Sequence, residues 1–348
     1  MVEVQTEMEV ETSLPLPQTD QPTNRAEETR LAIEHLDVSF MRRFTKLMFN
    51  PTNPFIAGAS VLGSIVAAQT AYMQGTYEPL PHPKKDRSFG IEYYDGEPGH
   101  SSMKRIIVLG DSLVVGVGCN AAPVISQSLA RGFAQRFKSD VAWRSFGIDG
   151  GDARTIHQST IDSVRSLVRG NRTSTSSGHA NSNETDASRR TSGEGQADMR
   201  IDACVIICGL NDFKKLWKGR TAIIFRRDLE NFIMELRECL GPDCLIILPA
   251  LPMEPTRFPE PLRSFVILIS EVFDEQKKAL CLENPSMLFV PKPSVRWWRR
   301  VHERFGGVMS GDGVHPNETG YQVFGEWLGS VVARRFKEVV ARSSALQN

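Results

Sequence analysis

Four short segments carry the side chains whose types and spacing suit chemistry. They are Gly110-Asp111-Ser112, the turn Gly147-Ile148-Asp149-Gly150-Gly151-Asp152, Gly209-Leu210-Asn211-Asp212, and Gly311-Asp312-Gly313-Val314-His315-Pro316-Asn317. Together they offer a hydroxyl nucleophile in Ser112, a base in His315 and a carboxylate in Asp312 to orient that base. They also offer donors for a developing oxyanion: the N–H groups of Ser112 and Gly150 and the side-chain amide of Asn211. That set suits acyl transfer. Asp312 and His315 are three residues apart on a glycine-containing loop. That spacing lets the carboxylate reach imidazole Nδ1, fix its tautomer and stabilise the imidazolium. Gly150 allows a tight backbone approach with a free N–H. Taken singly, each segment has a bland explanation. A Ser behind a strand is usually a helix cap, Asn-Asp is usually a turn, and Asp-x-x-His is usually a surface loop. Their occurrence in this order, each at a strand end or before the last helix, carries the reading.

The elements that must position these residues are legible from Lys104 onward. Five short apolar runs, 105–109, 141–146, 203–208, 244–249 and 287–290, read as strands. Between them lie helical patterns over about 120–137, 153–168, 221–240, 261–282 and 317–340. In the first of these Ile125, Leu129, Phe133 and Phe137 recur every four residues on one face. Near-continuous apolar strands alternating with helices indicate a parallel sheet covered on both faces. Right-handed crossovers then give a three-layer α/β/α sandwich. In such a sheet ligands bind beyond the carboxyl ends of the strands, which is where the four segments fall.

These residues resemble a known family, the SGNH hydrolases or GDSL-type esterases and lipases. Gly110-Asp111-Ser112-Leu113 is similar to its first block and the Gly147–Gly150 turn to its second. Gly209-x-Asn211-Asp212 is similar to the third block and Asp312-x-x-His315-Pro316 to the last. The resemblance covers about residues 104–335 and is closest to compact lysophospholipase or thioesterase-like members. It implies a five-stranded flavodoxin-like sheet of order 2-1-3-4-5. It also implies ester hydrolysis through an acyl-serine, with Ser112, Asp312 and His315 catalytic and Ser112, Gly150 and Asn211 forming the oxyanion hole. No metal and no cofactor are implied. The expected substrate is a small acyl ester or a lysolipid. The competing classes are an idle binding or anchor protein that keeps the fold, and an acyl transferase or carbohydrate deacetylase.

Other signals set the bounds. The 348 residues hold 41 Lys+Arg against 41 Asp+Glu, so no basic excess marks a general nucleic-acid binder. Six cysteines are too sparse for a disulfide scaffold. Cys204 and Cys208 would lie on one side of a strand about 13 Å apart, too far to bridge. Gly116-Val117-Gly118-Cys119-Asn120-Ala121 fits a dinucleotide fingerprint in form only, because it begins six residues beyond the strand. His302 lacks an Asp at close spacing and is the weaker base. Two segments, 213–220 and 295–305, mix Trp217, Trp297 and Trp298 with cations. They suit either solvated helix faces or a rim for anionic lipid head groups.

Residues 1–46 read as an acidic disordered tail with a short helix, 78–103 as a linker, and 104–340 as the catalytic domain. Within that domain 169–199 is a polar, disordered insertion. Residues 47–77 contain no charged residue. Within them Phe55–Met73 has the length of a membrane-spanning helix, and Arg42, Arg43 and Lys46 precede it. The expectation is a membrane protein with a possible single-pass anchor. The alternatives are an apolar helix packed on the main domain and a cytoplasmic protein.

Overall fold

The computed structural model describes residues 54–76, 78–83, 88–94, 103–120, 124–173 and 200–345. The acidic tail and residues 174–199 of the polar insertion lie outside the described residues. In chain order the elements are α1 (Pro54–Gly75), β1 (Phe89–Glu92), β2 (Lys104–Gly110), α2 (Ser112–Val115), α3 (Val124–Phe137), β3 (Val141–Gly147) and α4 (Ala153–Thr173). There follow β4 (Ala203–Ile207), α5 (Leu210–Lys214), α6 (Ala222–Leu240), β5 (Leu245–Pro249), α7 (Leu262–Glu283), β6 (Met287–Val290), α8 (Val295–Phe305) and α9 (Glu318–Ala345).

The sheet order is β1-β3-β2-β4-β5-β6. Its five parallel strands, β2 to β6, keep the order 2-1-3-4-5 that the resemblance implies. The sheet has six strands rather than five, because β1 pairs antiparallel with β3 at one edge. Alternate residues of each strand feed opposite faces. Ile106 and Val108 meet α3 and α9 through Leu129, Phe133, Tyr321 and Leu328. Ile107 and Leu109 meet α4 and α6 through Ile156, Val164, Phe225 and Phe232. Both faces being dry explains why β4 and β5 are buried at every position. Cys204 and Cys208 enter the same cluster as free thiols.

The apolar segment before the domain does form a helix, α1. No helix among the described residues is long and apolar enough to cross a membrane, which corrects the spanning expectation. Ser60, Ser64, Gln69 and Thr70 dilute its hydropathy, and one side of it is engaged by the domain. Gln69 donates through Nε2 to the Glu260 carbonyl (2.8 Å) and accepts through Oε1 from the Leu262 N–H (3.2 Å). Val66 and Met73 pack with Leu262 and Val266. Gln69 thus caps the entrance to α7, while Ser64 and Thr70 donate to carbonyls of their own helix.

Candidate active site

Strand register brings three of the four segments together. Gly110, the last residue of β2, stands opposite Gly147 on one neighbour and Ile207 on the other. The chain leaving Gly110 therefore enters α2 between the other two strand ends. Asp111 accepts the Leu113 N–H (3.0 Å) and caps this single turn. Ser112 is its first residue. The turn runs so close to β4 that a Cβ on Gly110 would collide with the Ile207 carbonyl and the Val114 side chain. Glycine at position 110 is thus a packing requirement.

The fourth segment folds back from α8. Met309 and Pro316 form an isolated bridge, and Ser310 N–H donates to the His315 carbonyl (2.8 Å). Inside this loop Asp312 Oδ1 accepts the N–H groups of Val314 (2.9 Å) and His315 (3.0 Å). Asp312 Oδ2 lies 2.6 Å from His315 Nδ1, and His315 Nε2 lies 2.9 Å from Ser112 Oγ. An ionised carboxylate only accepts, so Nδ1 carries the ring proton and Nε2 is left to accept from the serine hydroxyl. Burial alone would push the Asp312 carboxyl up. The hydrogen bonds from His315 and the two backbone N–H groups outweigh it and hold the group below its ordinary value.

The donors expected from the sequence are Ser112, Gly150 and Asn211. Gly150 has φ +67°, a left-handed backbone that suits glycine. Among the described residues neither its N–H nor that of Ser112 meets an acceptor. Asn211, in the first turn of α5, is buried, and Nδ2 donates one hydrogen to the Gly151 carbonyl (3.1 Å). The second amide hydrogen stays available. All five residues singled out in the sequence thus occur at one end of the sheet. Ser112, His315 and Asp312 are linked directly, and Asn211 is linked to the turn that holds Gly150.

Residues 108–323 match the family described as GDSL-like lipase/acylhydrolase. The chain belongs to that family. This GDSL-like acylhydrolase is accordingly a hydrolase of ester bonds. It is similar in structure to the lipase/acylhydrolase of Enterococcus faecalis, with 20% identity, 67% of this chain and 96% of that one covered, and a TM-score of 0.42. It is also similar to an acetyl xylan esterase, with 14% identity, 66% and 99% covered and a TM-score of 0.41. A third likeness is to a psychrotrophic esterase from a Pseudoalteromonas species, with 13% identity, 66% and 96% covered and a TM-score of 0.39. No curated protein matches it significantly.

Two features of the acylhydrolase site had little or no sequence signal. Asp111 is fully buried, and among the described residues its Oδ2 meets no donor. Burial lifts its carboxyl to about 6, against the lowering effect of the Leu113 N–H and of Lys214. Lys277 is fully buried on α7, donating to the Pro249 carbonyl (2.9 Å) and to Asp274 Oδ1 (3.1 Å). Asp274 in turn accepts the Leu251 N–H (3.0 Å). This pair pins the loop after β5. Only the helical spacing of Asp274 and Lys277, three apart, hinted at it. His302 is exposed on α8, so the competing base faces solvent. Trp297 is buried with Val301, whereas Trp217 is 80% exposed, so only one of these two tryptophans projects as a rim.

An apolar crevice of about 440 Å³, its open mouth included, lies beside the site. Leu113, Leu210 and Val314, the chain neighbours of Ser112, Asn211 and His315, line it with Leu251, Met253 and Trp298.

Proposed function

We propose that the enzyme is a serine esterase that works through an acyl-serine intermediate on short acyl esters. The observation that carries this reading is the continuous line from Ser112 Oγ to His315 Nε2 (2.9 Å) and from His315 Nδ1 to Asp312 Oδ2 (2.6 Å). Ser112 Oγ attacks the ester carbonyl carbon while its proton passes to His315 Nε2. The negative charge that appears on the carbonyl oxygen is met by the N–H groups of Ser112 and Gly150 and by Asn211 Nδ2. The tetrahedral adduct collapses, the carbon–alkoxy bond breaks, and the leaving oxygen takes the proton from Nε2. Water then gives a proton to Nε2 and attacks the acyl carbon. The acid leaves, and Ser112 regains its hydrogen. Asp312 keeps Nε2 as the basic nitrogen throughout and stabilises the imidazolium.

The crevice supports a short or medium acyl group. It is apolar but small, and no inserted cap is visible among the described residues to enclose a long chain. Methylenes that stay in water add far less than the ~0.8 kcal/mol of full burial. Along p-nitrophenyl esters of two to sixteen carbons, kcat/KM is expected to level off early. A steep rise with every added pair of carbons would show a deep tunnel instead. The serine mechanism is tested with a fluorophosphonate probe. Labelling of the folded enzyme that vanishes in Ser112→Ala is expected, and labelling that persists in that variant would overturn it.

A further inference from the structure

The two outer oxyanion donors, Gly150 and Asn211, sit on loops from different strands. Each loop continues into an acid: Asp152 follows Gly151, and Asp212 follows Asn211. Asp212 is fully buried. Its Oδ2 accepts the Ala153 N–H (3.0 Å), the first residue of α4, so it already reaches the end of the Gly150 turn. Its Oδ1 accepts Arg220 Nε (2.7 Å). The Arg220 side chain is 10% exposed. Its Nη1 donates to Asp228 Oδ2 (2.7 Å) on α6, and its Nε lies 3.5 Å from Asp152 Oδ2. Asp152 uses Oδ1 to cap α4 through the Thr155 N–H (2.8 Å) and takes Lys215 Nζ on Oδ2 (2.7 Å). One planar guanidinium thus spans three carboxylates from three elements, a geometry that a lysine cannot copy.

We propose that Arg220 is a positioning residue for ester hydrolysis. By tying Asp212 on α5 to Asp152 behind the Gly147–Gly151 turn and to Asp228 on α6, it sets the gap between Gly150 N–H and Asn211 Nδ2 so that both meet one oxyanion. This rests on the assignment of those two groups as donors. The carboxylates of the brace differ: burial holds the Asp212 carboxyl above its ordinary value, against Arg220 and the Ala153 N–H. Burial would raise Asp152, but Lys215, Thr155 and Arg220 bring its carboxyl down to about 2.

The test is a double-variant cycle on a p-nitrophenyl ester. Arg220→Lys keeps the charge and loses the fork. It is expected to lower kcat about 10- to 100-fold with KM changed less than about threefold, as a sub-ångström misplacement of donors does. In an Asn211→Ala background, where the donor to be positioned is gone, the same change should cost less than about threefold. Equal losses in both backgrounds would place the effect elsewhere and overturn the inference. So would an unchanged kcat in Arg220→Lys while Asn211→Ala is crippled. If Asn211→Ala itself leaves kcat intact, the donor assignment fails instead. Thermal melting confirms that each variant is folded. Asp228→Asn loosens the same brace from its outer end and decides the question if Arg220→Lys does not fold. It should lower kcat in the same background-dependent way, and a loss independent of Asn211 overturns the inference.

Discussion

The two arms that meet at Ser112 are built by opposite means. The arm carrying Asp312 and His315 is a backbone device: the Ser310 N–H on the His315 carbonyl, the Asn317 N–H on the Val308 carbonyl, two N–H groups on the Asp312 carboxylate and, among the described residues, no ion pair to that carboxylate other than the histidine. The arm carrying Gly150 and Asn211 is braced by charges, with Arg220 and Lys215 set among Asp152, Asp212 and Asp228. The difference follows from the work each arm does. His315, proposed to gain and lose a proton, faces one carboxylate, Asp312, which fixes its tautomer and stabilises the imidazolium. Donors that must stay still while charge develops gain from a rigid and even highly polar support.

The largest effect should come from the proton-moving arm. Ser112→Ala and His315→Ala are each expected to bring hydrolysis close to background, a loss of about 10³-fold or more, and the double variant should be scarcely worse. Multiplicative losses in steady-state rates would mean that the two do not act as a unit. Next comes the braced arm, where Asn211→Ala should cost about 10²- to 10³-fold in kcat with little change in KM. A change confined to KM would turn Asn211 into a substrate-binding group and dissolve the contrast between the arms. The smallest effect concerns stability and the helix cap between them. With its carboxyl lifted to about 6 by burial, Asp111 binds its proton more tightly in the folded than in the unfolded chain. Its contribution is therefore most favourable below about pH 4 and is lost as pH rises through 6. Asp111→Asn removes the charge and keeps an oxygen for the Leu113 N–H. Relative to the parent, the variant should gain about 2–3 kcal/mol between pH 4 and pH 7 in urea unfolding. Parallel stability curves would show that the buried carboxyl is compensated by something other than Leu113 and Lys214.

What the sequence discloses about these arms follows their chemistry. Strands buried on both faces leave continuous apolar runs, so β2, β3, β4, β5 and β6 were placed within a residue or so. Strand β1, Phe-Gly-Ile-Glu, is a half-exposed edge of only four residues among prolines and glycines, and it leaves no such run. Helix α8 lies over 295–305, which the sequence, dense in arginine, offered as a solvated helix face or a lipid-facing rim. Ser294, which accepts the Trp297 N–H (3.2 Å), and the inward pair Trp297 and Val301 decide for the helix. The residues proposed to react were legible because each lies at a strand end or a loop with its own short motif. Arg220 was not, because it joins charges 8 to 68 residues away in the chain. A charged residue in a loop looks alike in sequence whether it faces water or three carboxylates.

Strand β1 has a consequence beyond completing the sheet. It covers the outer side of β3 along Val141–Arg144, whose outward N–H and C=O groups would otherwise be unpaired. Glu92 takes Arg131 (3.1 Å) and Gln127 (2.9 Å) from α3, and the Phe89 ring lies under the Arg144 guanidinium, so the short strand is held at both ends. A chain shortened to begin at Lys104 would keep every reacting group and lose this cover. Its bare margin would be a template for the same strand of another molecule, and self-association would compete with folding although nothing near Ser112 had changed.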